Sequence, residues 1–566
     1  MSFAPPSAGG LPLSGLVMLG LLGATAAAAG VPSVSDNVLA EGGRRIYQQG
    51  ILSDGRPMRA VRPEGFVLEG QQAACVTCHR ESGMGSVEGS IDRTILVPPV
   101  AGPVLFVPAR FHEHFLDPSH HWVPNPAWAR ALTRGAYDEI SLRRSLREGL
   151  DPDDRPLVAP MLRYDLDDDA ASALAAYLRR LSADPAPGVE ADALHLATVV
   201  TPDAPPGYAD AVLGVLQGWS ASSKASGSDW RLHVWELSGP PEGWQAQLEA
   251  RYREQPVFAV LSGVGGSEWT PVHRFCEDNR VPCILPVVDV APDGAPGFYP
   301  VYFSPGVTLE ARLLARHLGG EAKPADGTRP PIIQVFSDPA GRRAAESLAA
   351  SLGPGAGTPS LRRYRPTAPT AALDAVGEGT SLVLWLRSAE IEQLAAAMPM
   401  GPGTGTIYLS SLLSPPEAMV LPPAWKARVT YASLFDDLGL QGEIAKLRLR
   451  RWLDQHGLPG GQDLRVQADA YAASYLFASA LGEIRGQELR RPKVPLGREH
   501  VLEMLENGVN KYADGTSLVD PDSHVAYYGR MSLGPRQRTA VRGGMLLRYA
   551  SPDSARTVAA SGRIVP

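Results

Sequence analysis

The chain has 566 residues, too long for one ordinary domain of about 150 residues, so it is multidomain. Hydrophobic residues make up 44% and charged residues 20%, enough to bury real cores, which excludes a disordered or fibrous protein. Lys plus Arg is 53 against Asp plus Glu at 60, a balance of -7 that argues against a nucleic-acid partner, and four Cys exclude a disulfide-dense scaffold.

From Leu11 to Ala29 every residue is apolar or small, and the run closes on Ala27-Ala28-Ala29 before Gly30. An apolar region followed by an A-x-A site predicts a signal peptide over 1–29 and export to the periplasm of a bacterium, with no stable membrane span after cleavage. The first basic residue is Arg44, and an uncleaved anchor is the alternative. Residues 36–183 open and close with helical patterns around a Pro- and Gly-rich middle. The stretch 184–194, beginning Asp184-Pro185-Ala186-Pro187-Gly188, reads as a linker.

After the linker the pattern alternates. Strands are predicted over Leu194 to Val200, Trp230 to Leu237, Val257 to Leu261 and Cys283 to Val288. Helices lie between them over Ala209 to Trp219, Trp244 to Arg253 and Val272 to Asp278. A second set follows: strand Ile332 to Phe336, helix Gly341 to Leu352, strand Ser381 to Leu386 and helix Glu390 to Ala397. The long helix Ala468 to Ile484 and a β tail through Leu546 to Tyr549 end the chain. Alternation at this spacing predicts βαβ units and parallel sheets covered on both faces.

Cys75-Val76-Thr77-Cys78-His79 is the most specific motif. C-x-x-C-H lets two thiols add to haem vinyl groups while the adjoining imidazole lies over the iron. A thioredoxin-like pair needs a preceding strand, which Gln71-Gln72-Ala73-Ala74 does not provide. A zinc ribbon needs a second ligand pair, and Cys276 and Cys283 lie in another domain. For the iron's other face the chain offers Met161 in Ala159-Pro160-Met161, before the helix Asp167 to Leu181. Met58, Met84 and the group His112, His114, His120 and His121 are the other candidates.

This stretch resembles the class I cytochrome c family. Gly43, Ile46 and Tyr47 look like its N-terminal helix, Tyr177 like the aromatic of its C-terminal helix, and Pro98-Pro99-Val100-Ala101-Gly102 like its P-x-L-x-G loop. The resemblance implies an all-α domain over 36–183 holding one covalent haem c. It makes His79 the proximal ligand, Met161 the distal one, and the Pro98 carbonyl the acceptor that orients His79. Insertions between Tyr47 and Cys75 and between His79 and Met161 depart from the family pattern.

Residues 195–566 look like a type I periplasmic solute-binding protein of the branched-chain amino acid group, carried by Leu194 to Val200, Pro256 to Gly263, Val281 to Pro286, Ile333 to Asp338 and Ala468 to Ala473. The resemblance implies two doubly wound α/β lobes around a ligand cleft, one built from 195–305 and about 432–500. Amino-acid binders of the family hold the ligand carboxylate at the turn after the third strand and at a later Thr. Here the turn reads Gly265-Gly266-Ser267-Glu268-Trp269-Thr270, and Asp289 stands at the later position. Asp289 would repel a carboxylate unless paired, so the amino-acid specificity does not carry over. Ser267, Trp269, Asp289, Tyr299, Tyr302, Arg387 and Glu390 are candidate cleft residues, with packing or surface charge as the competing role. Cys276 and Cys283 either form a disulfide worth about 2.5 kcal/mol or stay as two buried thiols.

These expectations describe a non-enzymatic periplasmic electron carrier with a module for a small-molecule ligand or partner docking, its electrons coming from a redox partner such as a periplasmic dehydrogenase. The competing role is a solute receptor of a transport or sensing system with an accessory haem. A peroxidase is disfavoured, because a single haem closed by Met161 has no open site.

Overall fold

The computed structural model describes residues 34–88, 95–109, 133–157, 159–225, 229–292, 297–320, 331–353, 359–374, 376–377, 379–403, 405–435, 439–460, 464–488, 494–513 and 531–566. The predicted signal segment 1–29 and the group His112, His114, His120 and His121 lie outside the described residues.

In the first module the helix Val34–Gln49 crosses the helix Asp168–Arg180, whose start is capped by the Asp167 carboxylate accepting from the Ala170 amide at 2.8 Å. The crossing is close because position 43 is glycine: a Cβ there would lie 2.0 Å from the Ala173 carbonyl oxygen. One turn on, the Tyr47 and Tyr177 rings pack 5.3 Å apart. The module is not all-α, as the resemblance implied. Strands Arg59–Val61 and Val67–Glu69 form a hairpin completed by Arg163–Tyr164, and Ser86–Glu88 pairs with Ile95–Val97. The inserted segment after Tyr47 makes most of that sheet, because Arg59-Ala60-Val61 alternates and buries only Ala60.

The stretch 184–194 is packed, not a loose linker. The Ala186 amide donates to the Leu496 carbonyl at 3.1 Å, and Gly188, at φ +88°, lies against the Val257 and Phe258 backbone. The first strand of the larger module starts inside it, at Ala193.

That module has two α/β lobes, each with its own sheet. In the first, Ala193–Val200 is central, flanked by Asp229–Glu236, Ala259–Leu261 and Val264–Gly265. Cys283–Ile284, Pro300–Val301 and Val287–Val288 complete the sheet, and every pairing is parallel. Such strands are covered on both faces, which is why Ala193 to Val199 is buried throughout. The strand predicted over Cys283 to Val288 is two short strands, parted at Leu285, which has φ +48°. Cys276 and Cys283 are joined by a disulfide.

The second sheet runs Ser360–Arg363, Ile332–Phe336, Ser381–Trp385, Thr406–Ser410, Val429–Ser433, Met545–Tyr549 and Thr557–Ala559. The last two strands are antiparallel. Val429–Ser433 therefore belongs to the second lobe, whereas Leu449, Phe477 and Val501 of the helices Gly439–Gln455, Leu464–Glu488 and Arg498–Ala513 pack into the first.

Candidate functional site

Cys75 caps the short helix Val76–His79, where the His79 amide donates to the Cys75 carbonyl at 2.9 Å. Spacings of three and four residues put Cys75, Cys78 and His79 on neighbouring turns of one helix face. Neither Cys75 nor Cys78 is in a disulfide. A mostly apolar cavity opens beside them, lined by Cys75, Cys78, His79, Leu174 and Met161.

His79 is 6% exposed and its Nδ1 lies 3.0 Å from the Pro98 carbonyl oxygen. A carbonyl only accepts, so Nδ1 carries the proton and Nε2 keeps its lone pair. Burial pulls the imidazole down to about 4, against the Pro98 hydrogen bond, which leaves it neutral at pH 7 as a metal ligand must be. Burial also pushes the Cys75 thiol up to about 12, and Tyr164 hydrogen-bonds it. Arg62 and Arg134 also line the cavity. Two thiols, a preset imidazole, a thioether and apolar walls with two cations fit a haem c, whose porphyrin is apolar and whose propionates are anionic. Cys75 and Cys78 would hold it covalently, with His79 and Met161 as the candidate iron ligands.

The residues nominated for the cleft divide. Asp289 is 6% exposed and meets the Arg387 guanidinium of the other lobe at 2.5 Å, and Arg387 also reaches Asp338 at 2.8 Å. Burial pulls that guanidinium down, but the two carboxylates more than offset it and hold the side chain charged. Glu268 and Arg343 make a second ion pair across the lobes at 2.7 Å. Trp269 is 1% exposed in the core of the first lobe, folded under Gly263 and Gly265. Tyr302 is buried there too and bonds His273, while the Tyr299 hydroxyl donates to Glu499 at 2.6 Å. Glu390 accepts from Ser337 and from the Arg387 amide at the start of its own helix. Ser267 is buried but does not line the interlobe pocket. Of the cleft candidates only Asp289 lines that pocket, and Arg387 reaches it.

The sequence reading missed Asp203, Arg465 and Asp469. The Asp203 carboxylate accepts from the Gly266 and Glu268 amides at 3.3 and 3.1 Å, so these two amides are already bonded within the chain. Asp469 lines the interlobe pocket with Asp289, Ser304 and Arg465, is 5% exposed, and has one oxygen without a hydrogen-bond partner. Burial pushes its carboxyl up to about 7. A signal for Asp203 was present in Thr201-Pro202-Asp203, a strand end followed by a turn residue; only the fold brings it to residue 266.

The two positions at which the sequence resemblance places a ligand carboxylate, the turn at Gly266 and position 289, are thus engaged by Asp203 and Arg387 of the chain itself. Titration calorimetry of the full chain against leucine and valine should therefore show no binding at micromolar concentration. A micromolar Kd would mean that one of these internal contacts yields to ligand.

Residues 68–182 match the cytochrome c family model. No curated protein matches the chain. Among solved structures, the chain is similar to a fatty acid ABC transporter substrate-binding protein from Thermomonospora curvata, with 14% identity, 68% of this chain and 95% of that chain covered, and a TM-score of 0.47. It is similar to a branched chain amino acid ABC transporter from Thermus thermophilus with bound valine, with 12% identity, coverage of 67% and 98%, and a TM-score of 0.48. A branched-chain amino acid transporter substrate binding protein from Streptococcus pneumoniae in complex with isoleucine shows 13% identity, coverage of 66% and 100%, and a TM-score of 0.46. No helix among the described residues is long and apolar enough to cross a membrane.

Proposed function

We propose, from the cytochrome c match at residues 68–182, that this protein is an exported, periplasmic single-haem electron carrier, not an enzyme. The observation that carries the reading is that His79, its lone pair preset by the Pro98 carbonyl, shares one apolar cavity with Cys75, Cys78 and Met161. When bound, the haem supplies one-electron exchange at its iron. The chain's part is to hold the imidazole neutral and oriented, to offer a thioether that raises the potential, and to keep water from the iron. The redox partner is a protein of the same compartment, such as a periplasmic dehydrogenase, whose reducing equivalents must leave one electron at a time. The two-lobed module serves as a docking body.

The purified full chain should show a low-spin haem c spectrum with the weak near-infrared sulfur-to-iron band in the ferric state. Met161→Ala should remove that band and lower the potential. A variant with an unchanged spectrum would transfer the role to another ligand. Reduction on mixing with a candidate dehydrogenase and its substrate tests the partner. A second reading, a solute receptor with an accessory haem, is favoured by the unpartnered Asp469 oxygen in the interlobe pocket and opposed by the ion pairs across the lobes.

A further inference from the structure

We propose that Glu503, a carboxyl of the two-lobed module, is a proton site coupled to electron transfer in the cytochrome module. It gives one proton to water as one electron leaves for a redox partner protein, and takes one back on reduction. The inference rests on the electron-carrier reading and adds a chemical task for the second module.

The helix Arg498–Ala513 lies against the loop that leaves His79. Glu503, 2% exposed, accepts from the Ser82 amide at 2.9 Å and, with its other oxygen, from the Ser82 hydroxyl. One turn later Glu506, 1% exposed, pairs with Arg80 and Arg538. Val494 packs beside them on Met84, Ala101 and Val104. The gripped loop is tied to the proposed iron ligand twice over. The Gly85 amide donates to the His79 carbonyl, and the Gly83 carbonyl accepts from Val100 and Ala101, next to the Pro98 carbonyl that orients the ring.

Tyr47 stands between the cavity and the loop that Glu503 grips. It lines the cavity, donates its hydroxyl to the Arg80 carbonyl at 2.7 Å, and lies within electrostatic reach of Glu503. The other charged or titratable groups near Glu503 among the described residues include Arg80 and Glu81 of the loop, Arg538 of the C-terminal segment, and Glu499, His500 and Glu506 of its own helix. Arg80 and Arg538 are both committed to Glu506, Glu81 accepts from Gln48 and Glu499 from Tyr299. Among the described residues no cation is hydrogen-bonded to Glu503. It is a buried carboxyl whose nearby cation, Arg80, is hydrogen-bonded to Glu506 instead, beside a site whose charge changes by one during function.

Burial pushes the Glu503 carboxyl up to about 8 against the pull of the two Ser82 donors, so it changes charge in the neutral range. Adding a positive charge in the cavity favours the ionised carboxylate. By linkage, ionised Glu503 stabilises the oxidised form and lowers the potential. One proton per electron corresponds to a tenfold change in equilibrium constant, or about 59 mV, per pH unit.

The test is the midpoint potential of the full-length holoprotein from pH 5 to 9, followed in the haem spectrum. The wild type should show a potential that falls with rising pH around neutrality, and Glu503→Gln, which keeps an acceptor oxygen for Ser82, should flatten the profile. A purely structural Glu503 would leave the slope unchanged. A haem whose potential is independent of pH in the wild type, or equally dependent in Glu503→Gln, overturns this inference alone. A chain that carries no haem overturns the electron-carrier reading with it. If Glu503→Gln does not fold, Ser82→Ala, which removes one donor to the carboxylate, should move the falling part of the profile to higher pH.

Discussion

Replacing Cys75 and Cys78 together by alanine is expected to give an exported protein with no covalent haem and no redox activity. Mass spectrometry of the peptide containing Cys75 should show the haem adduct in the wild type and the bare mass in the variant. An adduct-free wild-type peptide would falsify the functional reading as a whole. The variant also isolates His79, whose ring is buried and held near 4, against about 6.5 in an unfolded chain. Between those values the unfolded state binds more protons, so stability rises with pH across the window. Acidifying the haem-free protein from pH 7 to 4 should cost up to about 3 kcal/mol from this group. Urea unfolding at the two pH values measures it, and His79→Phe, which cannot take the proton, should lose that part of the dependence.

The second large effect is expected at Arg387. Arg387→Ala leaves Asp289, 6% exposed, without its partner across the lobes, and also frees Asp338. Removing one member of a buried ion pair typically costs 3–5 kcal/mol, because the remaining charge stays desolvated. The full chain should lose about that much stability in denaturant and, with Glu268–Arg343 the other interlobe ion pair among the described residues, scatter X-rays as a more open particle. Adding Asp289→Asn should restore part of the stability, since the orphaned charge is gone. A single variant as stable and as compact as the wild type would show that the lobes are held by their apolar contacts and not by this latch.

The sequence by itself determined the chemistry that depends on covalent spacing. Cys75, Cys78 and His79 meet on one helix because three- and four-residue separations are adjacent turns, whatever surrounds them. Alternating β and α patterns likewise announced a doubly wound module, since a buried parallel strand must be apolar along its length. The family resemblance places Gly43 and Tyr177 at a helix crossing, and the structure shows why: the close approach there needs a residue without a Cβ. What crosses the fold was decided by tertiary structure. Trp269 and Tyr302 looked like cleft aromatics, yet a large side chain beside a glycine turn is equally suited to fill the core beneath it, and residue type does not distinguish the two. The hairpin over Arg59 to Glu69 was hidden because its strands are three residues long and show too little of the period. Asp203 on Gly266, Arg387 on Asp289 and Glu503 on Ser82 join residues 63, 98 and 421 positions apart. Burial makes Asp289 and Glu503 consequential, and burial is a property of the packed chain. A carboxylate in the sequence reads as solvated surface until the fold removes its water.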